Sequence, residues 1–533
     1  GRAVTDYLPY GKYLVRETKT PKDYMTAPDF TVSVTKDSSE YNELEQVKLV
    51  SVNNKPFASY VKLVKVDEDT RKKVTLNSAS FKIKDAQGNY VVQKVSGTKV
   101  DTFTTNSDNE IIPVVEKGTV TLPLMLNAGT YTIEEIKTPK GFLDLEKPVE
   151  FVISSTYDYD VDEDADPIVE VKIRNRQPKG EIKLNKTVMD LDTDTDLVDR
   201  SDLSKIQFVL KAKEDIYSSI DGSLMFEKDS VITTENSGAI VNTGSEVGNG
   251  IYALSLDGHL DISNLPMSTK GASYYLQEVK TLDGCVLDTA QYDAVFKQSD
   301  FTTKNYIKSF DVENKTTDFE FNKTDVTGDK EVEGAQLTIT DEDGNVVDQW
   351  TSDGKVHSIE GLVVGKTYTL SETVTAKDYV KATDIKFTVK NSSELETVTM
   401  KDKQVFVSKT TVGGEEVTGA HMQIIDEDGN IIDEWYSEGK SHIANGLEEG
   451  KTYTLHEDLS PLGFNLANDF TFEVTKEKEN QTVEMIDTVT EVNKTDVDGK
   501  AVKEATLSIV SEKTKDAQIE DMTIKVVAGE SSP

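Results

Sequence analysis

The sequence predicts an all-β chain built from tandem β-sandwich domains, and three observations carry that reading. Alternating strands separated by Gly, Asn and Asp turns recur throughout, while helical periodicity is nearly absent. A single pattern, Tyr-x-apolar-x-Glu followed by a turn region, is written five times, beginning at Tyr13, Tyr131, Tyr274, Tyr368 and Tyr453. Residues 335–379 also match 420–464 almost position for position. Each carries a strand, a DEDGN hairpin turn, a strand ending in Trp350 or Trp435, and then the glutamate strand.

Length and charge bound the rest. A chain of 533 residues is too long for one domain, and roughly three to five are expected. The formal net charge of -37 argues against nucleic acid or an anionic membrane as partner, because both require a basic surface. No apolar run reaches the length of a membrane helix, so no membrane insertion is expected in this segment. The N-terminus does not read as a signal peptide. Cys285 is the lone cysteine, which rules out an intrachain disulfide and is expected as a buried or half-buried thiol near a turn.

The opening strand of each unit contributes a lysine. In a strand, side chains alternate between faces. Val61, Leu63 and Lys65 therefore share a face, as do Ile182, Leu184 and Lys186; Phe319, Phe321 and Lys323; and Val405, Val407 and Lys409. Val492 with Lys494 repeats the end of the pattern. The middle strand contributes a glutamate. Tyr368, Leu370 and Glu372 point the same way, and the corresponding residues elsewhere are Glu17, Glu135, Glu278 and Glu457. Glu134 adjoins Glu135, but only Glu135 shares the face of Ile133. The closing strand contributes an Asn or Asp: Asn54, Asn175, Asn314, Asp402 and Asp487, each in step with two apolar residues before it.

Together the three strands define four complete units at 56–177, 178–316, 317–404 and 405–489. Residues 1–55 hold the second half of a unit, with Glu17 and Asn54, and residues 490–533 hold a first half, with Lys494. The sequence thus begins and stops mid-domain, as a segment cut from a longer chain would. Complementation between the two terminal halves is the rival reading. The extra length of the first two complete units, around 97–118, 154–167, 187–203 and 213–250, is polar or acidic and is expected to form loops or added hairpins.

Three inward polar residues per sandwich need a chemical reason, since a buried unpartnered charge costs several kcal/mol even after relaxation. A Lys–Glu ion pair relieves part of that cost without explaining the third residue. A reaction explains all three. Burial favours a neutral amine and a protonated glutamic acid. The amine attacks the side-chain carbonyl of Asn or Asp, with the glutamic acid as general acid and base, and an amide forms with loss of ammonia or water. The alternative is a satisfied buried ion pair with a hydrogen-bonded Asn or Asp.

These residues carry a family resemblance. The opening stretch FNKTDVTGDKEVEGAQLTI, the motif YTLSETVTAKDY and the closing Asn/Asp strand resemble the Cna B-type, or SpaA-like, domains of Gram-positive surface adhesins and pilins. Units 317–404 and 405–489 are similar to the Asp-ending domain of streptococcal fibronectin-binding surface proteins. The resemblance implies an Ig-like, prealbumin-like sandwich repeated in an elongated array, with autocatalytic isopeptide bonds. Carried over, these are Lys65–Asn175 with Glu135, Lys186–Asn314 with Glu278, Lys323–Asp402 with Glu372, and Lys409–Asp487 with Glu457. Departures are the missing Pro in EVKTLDGC and the half-sites Glu17–Asn54 and Lys494, which have no partner within their own segments.

The resemblance further implies an extracellular, cell-wall-anchored stalk of an adhesin or pilus-like protein, whose partners are other surface-protein subunits. An adhesin region binding a host matrix protein through the longer domains' loops is the alternative. The acidic runs at Asp190-x-Asp192-x-Asp194-x-Asp196 and at 158–166 lack a calcium loop's glycine and closing glutamate, and read as solvated loops rather than metal sites. No phosphate loop, metal-protease spacing or nucleophile motif is present. Neither a cofactor nor an enzyme acting on an external substrate is expected.

Overall fold

The computed structural model describes residues 2–36, 49–108, 116–156, 166–190, 193–490, 492–500, 502, 505–510 and 523–527. These residues are almost entirely strands and turns, with one single-turn α-helix, Thr234–Ser237, among them. The chain packs as two compact units. One comprises 1–187, 200–282 and 287–314, and the other comprises 188–199, 283–286 and 315–533.

In the first unit, the opening strand Ala58–Asp67 lies between the closing strand Ile168–Asn175, parallel to it, and the short antiparallel strand Thr119–Thr121. The facing sheet is ordered Val149–Ile153, Gly129–Lys137, Ser80–Lys84, Phe103–Thr104. Between the two sheets sits a core that includes Val61, Leu63, Phe81, Ile83, Ile133 and Ile173. Alternation explains this arrangement, because each strand turns its apolar set toward the other sheet. A second sandwich follows. Lys179–Val188 neighbours Asn305–Asn314 in one sheet, and Ala272–Lys280 lies in the other between Gln207–Ala212 and Gln291–Phe296. The extra length at 213–250 forms short strands, including Ile240–Thr243 and Ser245–Gly248, which add one edge strand to each of the two sheets.

The second unit repeats the plan twice. Asp318–Asp325 pairs parallel with Glu396–Asp402, and Val405–Thr411 pairs parallel with Gln481–Asp487. The facing sheets carry the glutamate strands Thr367–Val374 and Thr452–Leu459. The DEDGN stretches form the expected tight turns. In the first, Asp341 Oδ1 accepts from the backbone N–H groups of Asp343 and Asn345, and Gly344 takes a left-handed φ of 81° that a side chain would strain. The segment 188–199, expected as a polar loop, instead lends the strand Thr195–Asp196 to the edge of this unit's sheet, parallel to His357–Glu360. Trp350 and Trp435 stack on His357 and His442 with ring centroids 4.1 and 4.0 Å apart.

Val380, from the loop after the first glutamate strand, is buried in the core of the 405–489 sandwich. Hydrogen bonds from Lys381 N–H to Leu447 O at 2.9 Å and from Asp378 N–H to Asn445 Oδ1 at 2.7 Å fasten the same loop there.

Candidate functional site

The geometry of each site follows from strand register. Lys65 sits opposite Ile173 in the parallel pair, and Asn175 is two residues further on the same face. Lys323 and Asp402, and Lys409 and Asp487, stand in the same relation. Lysine and acceptor are thus diagonal neighbours on one sheet, within reach of a four-carbon stem. The glutamate comes from the facing sheet and closes over them from across the core.

Four such constellations are buried. The Lys65 ammonium nitrogen contacts Asn175 Oδ1 and lies 3.2 Å from Glu135 Oε1, with side-chain exposures of 0% and 1%. Asn175 Nδ2 donates to Glu135 Oε2 at 2.6 Å and to Leu143 O at 2.7 Å. In the second sandwich, Lys186 Nζ reaches Asn314 Oδ1 at 2.5 Å and Glu278 Oε2 at 2.9 Å. Asn314 Nδ2 donates to Glu278 Oε1 at 2.7 Å and to Thr281 Oγ1.

The two Asp sites follow suit. Lys323 contacts Asp402 and lies 3.1 Å from Glu372, and Lys409 contacts Asp487 and lies 3.2 Å from Glu457. In both, a backbone N–H ten residues on, Ala382 or Ala467, donates to the other glutamate oxygen at 2.9 and 2.6 Å. At all four sites, the glutamate oxygen facing the lysine makes no hydrogen bond, although it lies within ion-pair distance. The lysine is directed instead at the acceptor's side-chain oxygen.

Electrostatics favour the neutral forms where a direction is resolved. Burial pulls the Lys65 amine down to about 8 against the attraction of Glu135. Burial pushes the Asp402 carboxyl up to about 7, with Glu372 adding to the rise and Lys323 opposing it.

A recurring clamp was not foreseen from the sequence. The residue eight positions after each glutamate donates its N–H to the carbonyl of the residue after the acceptor. The pairs are Met25–Lys55, Leu143–Arg176, Val286–Lys315, Val380–Lys403 and Asn465–Thr488, at 2.8–2.9 Å. This clamp ties the loop after the glutamate strand to the end of the closing strand, so that the acceptor and the acid are held together. Its signal is the fixed spacing from Glu into the turn region, which composition alone does not single out.

The remaining expectations sort plainly. Glu134 faces outward, to Lys84 at 2.6 Å and Tyr90 at 2.9 Å. Cys285 is buried. Glu17 and Asn54 come together without a lysine, and Lys494 is exposed. In the acidic run, Asp194 accepts from Ser358 N–H at 3.1 Å, and the Asp190 and Asp196 carboxylates lie within 4.8 Å of Glu360. Asp192 and nearly all of 158–166 fall outside the described residues.

The family model of the SpaA prealbumin-like fold domain matches residues 1–48, 59–166, 317–404 and 403–489, more than half of the chain. The chain belongs to this family. The second sandwich lies outside the matched residues, yet it carries a triad of the same build. No curated protein matches the chain. Among solved structures, the chain is similar to the Bacillus anthracis TIE protein at 16% identity, covering 81% of this chain and 74% of that one, with a TM-score of 0.27. It is similar to BcpA, the major pilin subunit of Bacillus cereus, at 14% identity, covering 65% and 99%, with a TM-score of 0.30. It is also similar to the shaft pilin SpaA from Lactobacillus rhamnosus GG at 15% identity, covering 33% and 98%, with a TM-score of 0.19.

Proposed function

We propose that this chain is the load-carrying stalk of an extracellular, cell-wall-anchored surface protein, of the adhesin or pilus type, whose sandwiches are closed by autocatalytic Lys–Asn and Lys–Asp isopeptide bonds. One observation carries the reading: a buried lysine, an acceptor side chain in contact with it, and a glutamate 2.9–3.2 Å from the lysine recur in four sandwiches.

In the Asn sites, the neutral amine attacks Cγ. The new Nζ–Cγ bond forms, a proton passes from Nζ through the glutamate to Nδ2, and the Cγ–Nδ2 bond breaks to release ammonia. The Glu135 and Glu278 oxygens 2.6–2.7 Å from Nδ2 are within range for that delivery. In the Asp sites, the acceptor reacts as the neutral acid and the departing group is water, which is consistent with the raised Asp402 carboxyl. Each reaction converts a buried ionisable amine, and at the Asp sites a buried carboxyl as well, into one neutral amide, which removes their desolvation cost.

The bond joins the first strand of a sandwich to its last. Tension entering at one end passes along the covalent link, and the sheets need not be pulled apart. An amide also resists reductants, which suits a chain without a disulfide. Partners on this reading are other surface-protein subunits. The test is peptide mapping of the purified chain. Branched peptides joining Lys65 to Asn175 and Lys323 to Asp402 are expected, and free lysine side chains at both positions would refute the reading.

A further inference from the structure

Each of the five glutamate motifs carries a hydroxyl three residues after the glutamate: Thr20, Thr138, Thr281, Thr375 and Ser460. All five residues are half-buried. In the 56–177 sandwich this hydroxyl bridges the acid to a second carboxylate. Thr138 Oγ1 lies 3.1 Å from Glu135 Oε2 and 2.5 Å from Asp144 Oδ1. In 178–316, Thr281 Oγ1 instead accepts from Asn314 Nδ2, and in 405–489, Ser460 donates to Phe464 O at 3.2 Å. The carboxylate behind the hydroxyl is particular to the 56–177 sandwich. Nine residues after the glutamate the sequence has Asp144 there, and Thr26, Leu287, Lys381 and Leu466 in the other motifs.

The three groups lead from the core to the surface. The Glu135 side chain is buried, Thr138 is half-buried and Asp144 is exposed. Asp144 is held in place by its backbone, whose N–H donates to Phe301 O at 2.8 Å, directly after Leu143 closes the clamp on Arg176. A groove of about 510 Å³, lined by Glu135, Thr138, Asp144, Leu145 and Phe301 among others, runs beside them. The other carboxylate whose charge acts on Lys65, Asp67, is buried and already accepts from Thr70 and Gln177.

Proton counting gives this path a task. A lysine enters the fold as an ammonium with three protons on Nζ. The amide nitrogen keeps one and the departing ammonia takes another. The third must leave a site in which the Lys65 and Glu135 side chains are 0% and 1% exposed.

We infer that Thr138 and Asp144 form a proton relay that carries this third proton from Glu135 to solvent. Glu135 in its acid form gives the proton on Oε2 to Thr138 Oγ1, while Thr138 passes its own hydroxyl proton to Asp144 Oδ1. Glu135 Oε1, 3.2 Å from Nζ, takes one proton from the ammonium. Amine and acid are then both neutral, as attack on Asn175 requires. Thr138 ends unchanged, and the exposed Asp144 releases its proton to water. Only O–H and N–H bonds break and form in this step. Resting on the isopeptide reading above, the relay adds how that site is brought to its reacting form.

The test follows each of the four bonds in freshly synthesised full chain by timed acid quenching and peptide mapping. Asp144→Asn keeps an oxygen for Thr138 but cannot take up a proton, and Thr138→Val removes the hydroxyl at nearly constant size. Each is expected to slow the Lys65–Asn175 bond roughly 10-fold or more and to leave the other three at the parent rate. Thr138→Ser is expected to restore the rate. Asp144→Ala is expected to be slow in the same way and to recover as formate, a carboxylate small enough for the groove, is added. A merely structural role for Asp144 would not respond to formate. Parent rates in both Asp144→Asn and Thr138→Val overturn the relay and leave the isopeptide reading standing. Slowing that neither Thr138→Ser nor formate relieves also overturns it, as a packing effect. Absence of all four bonds from the parent chain overturns the isopeptide reading and the relay with it.

Discussion

Replacing Glu372 with Gln removes the proton carrier of one site while preserving its size and its oxygen for the Ala382 N–H, which donates at 2.9 Å in the parent. Lys323 and Asp402 then remain an unreacted pair. The residues they would join are 79 apart in sequence. Closing a loop of that length is worth about 4.5 kcal/mol in the chain-entropy treatment of cross-links. For a sandwich of this size, each kcal/mol moves the midpoint by ~4–8 °C, so the 317–404 sandwich is expected to melt roughly 20–35 °C lower. Trp350 reports on this sandwich, packing on Phe321 at 5.8 Å between ring centroids. The other tryptophan, Trp435, lies in the next sandwich, so a Trp435→Phe background isolates the signal. In that background, the Glu372→Gln chain is expected to be one water heavier than the parent, apart from the substitution itself, and to lose its Trp350 signal at the lower temperature. An unchanged deficit in mass, or a midpoint shifted by only a degree or two, would refute the role given to Glu372.

Further outcomes follow from the same geometry. Bond formation in 56–177 needs the neutral Lys65 amine, held down to about 8 by burial, and is expected to speed up as pH rises toward that value. Bond formation in 317–404 needs the protonated Asp402, whose carboxyl sits near 7, and is expected to slow as pH rises through it. Timed acid quenching of freshly synthesised chain at pH 6 and pH 8.5, followed by peptide mapping, would show the two domains responding in opposite directions. Lys409→Arg is expected to leave one water in place in 405–489 and the other three bonds intact, checked by the same mapping. Gly284→Ala places a methyl 2.4 Å from Gly361 O at a φ of +84°, and is expected to lower stability by about 2 kcal/mol or more, measured by denaturant unfolding.

Much of this was legible because strand parity is a hard constraint. Tyr368, Leu370 and Glu372 are all buried, as a two-residue period requires, and Glu134 is turned out while Glu135 is turned in. Parity says which face a residue takes but not which sheet it joins. That Glu135 approaches Lys65 and Asn175 from the opposing sheet depends on strand order, which a period of two leaves open. The clamp at eight residues past each glutamate was invisible for another reason: it is made by backbone groups, and the position holds Met25, Leu143, Val286, Val380 or the polar Asn465, so no one side chain marks it. The segment 188–199 read as a solvated acidic loop because its charges outweigh its apolar residues. Its strand forms nonetheless, because two residues find an open edge beside His357–Glu360. EVKTLDGC lacks the usual Pro, yet Glu278 sits within 2.9 Å of Lys186, since the inward glutamate depends on the strand before the turn and not on the turn's composition.

The central claim is that four buried lysines are bonded to their acceptors rather than resting beside them. The intact mass of the purified, denatured 533-residue chain tests it most directly. Two Asn and two Asp sites predict a mass below that of the sequence by two molecules of ammonia and two of water. A mass equal to that of the unmodified sequence would contradict the claim and leave the four sites as buried ion pairs.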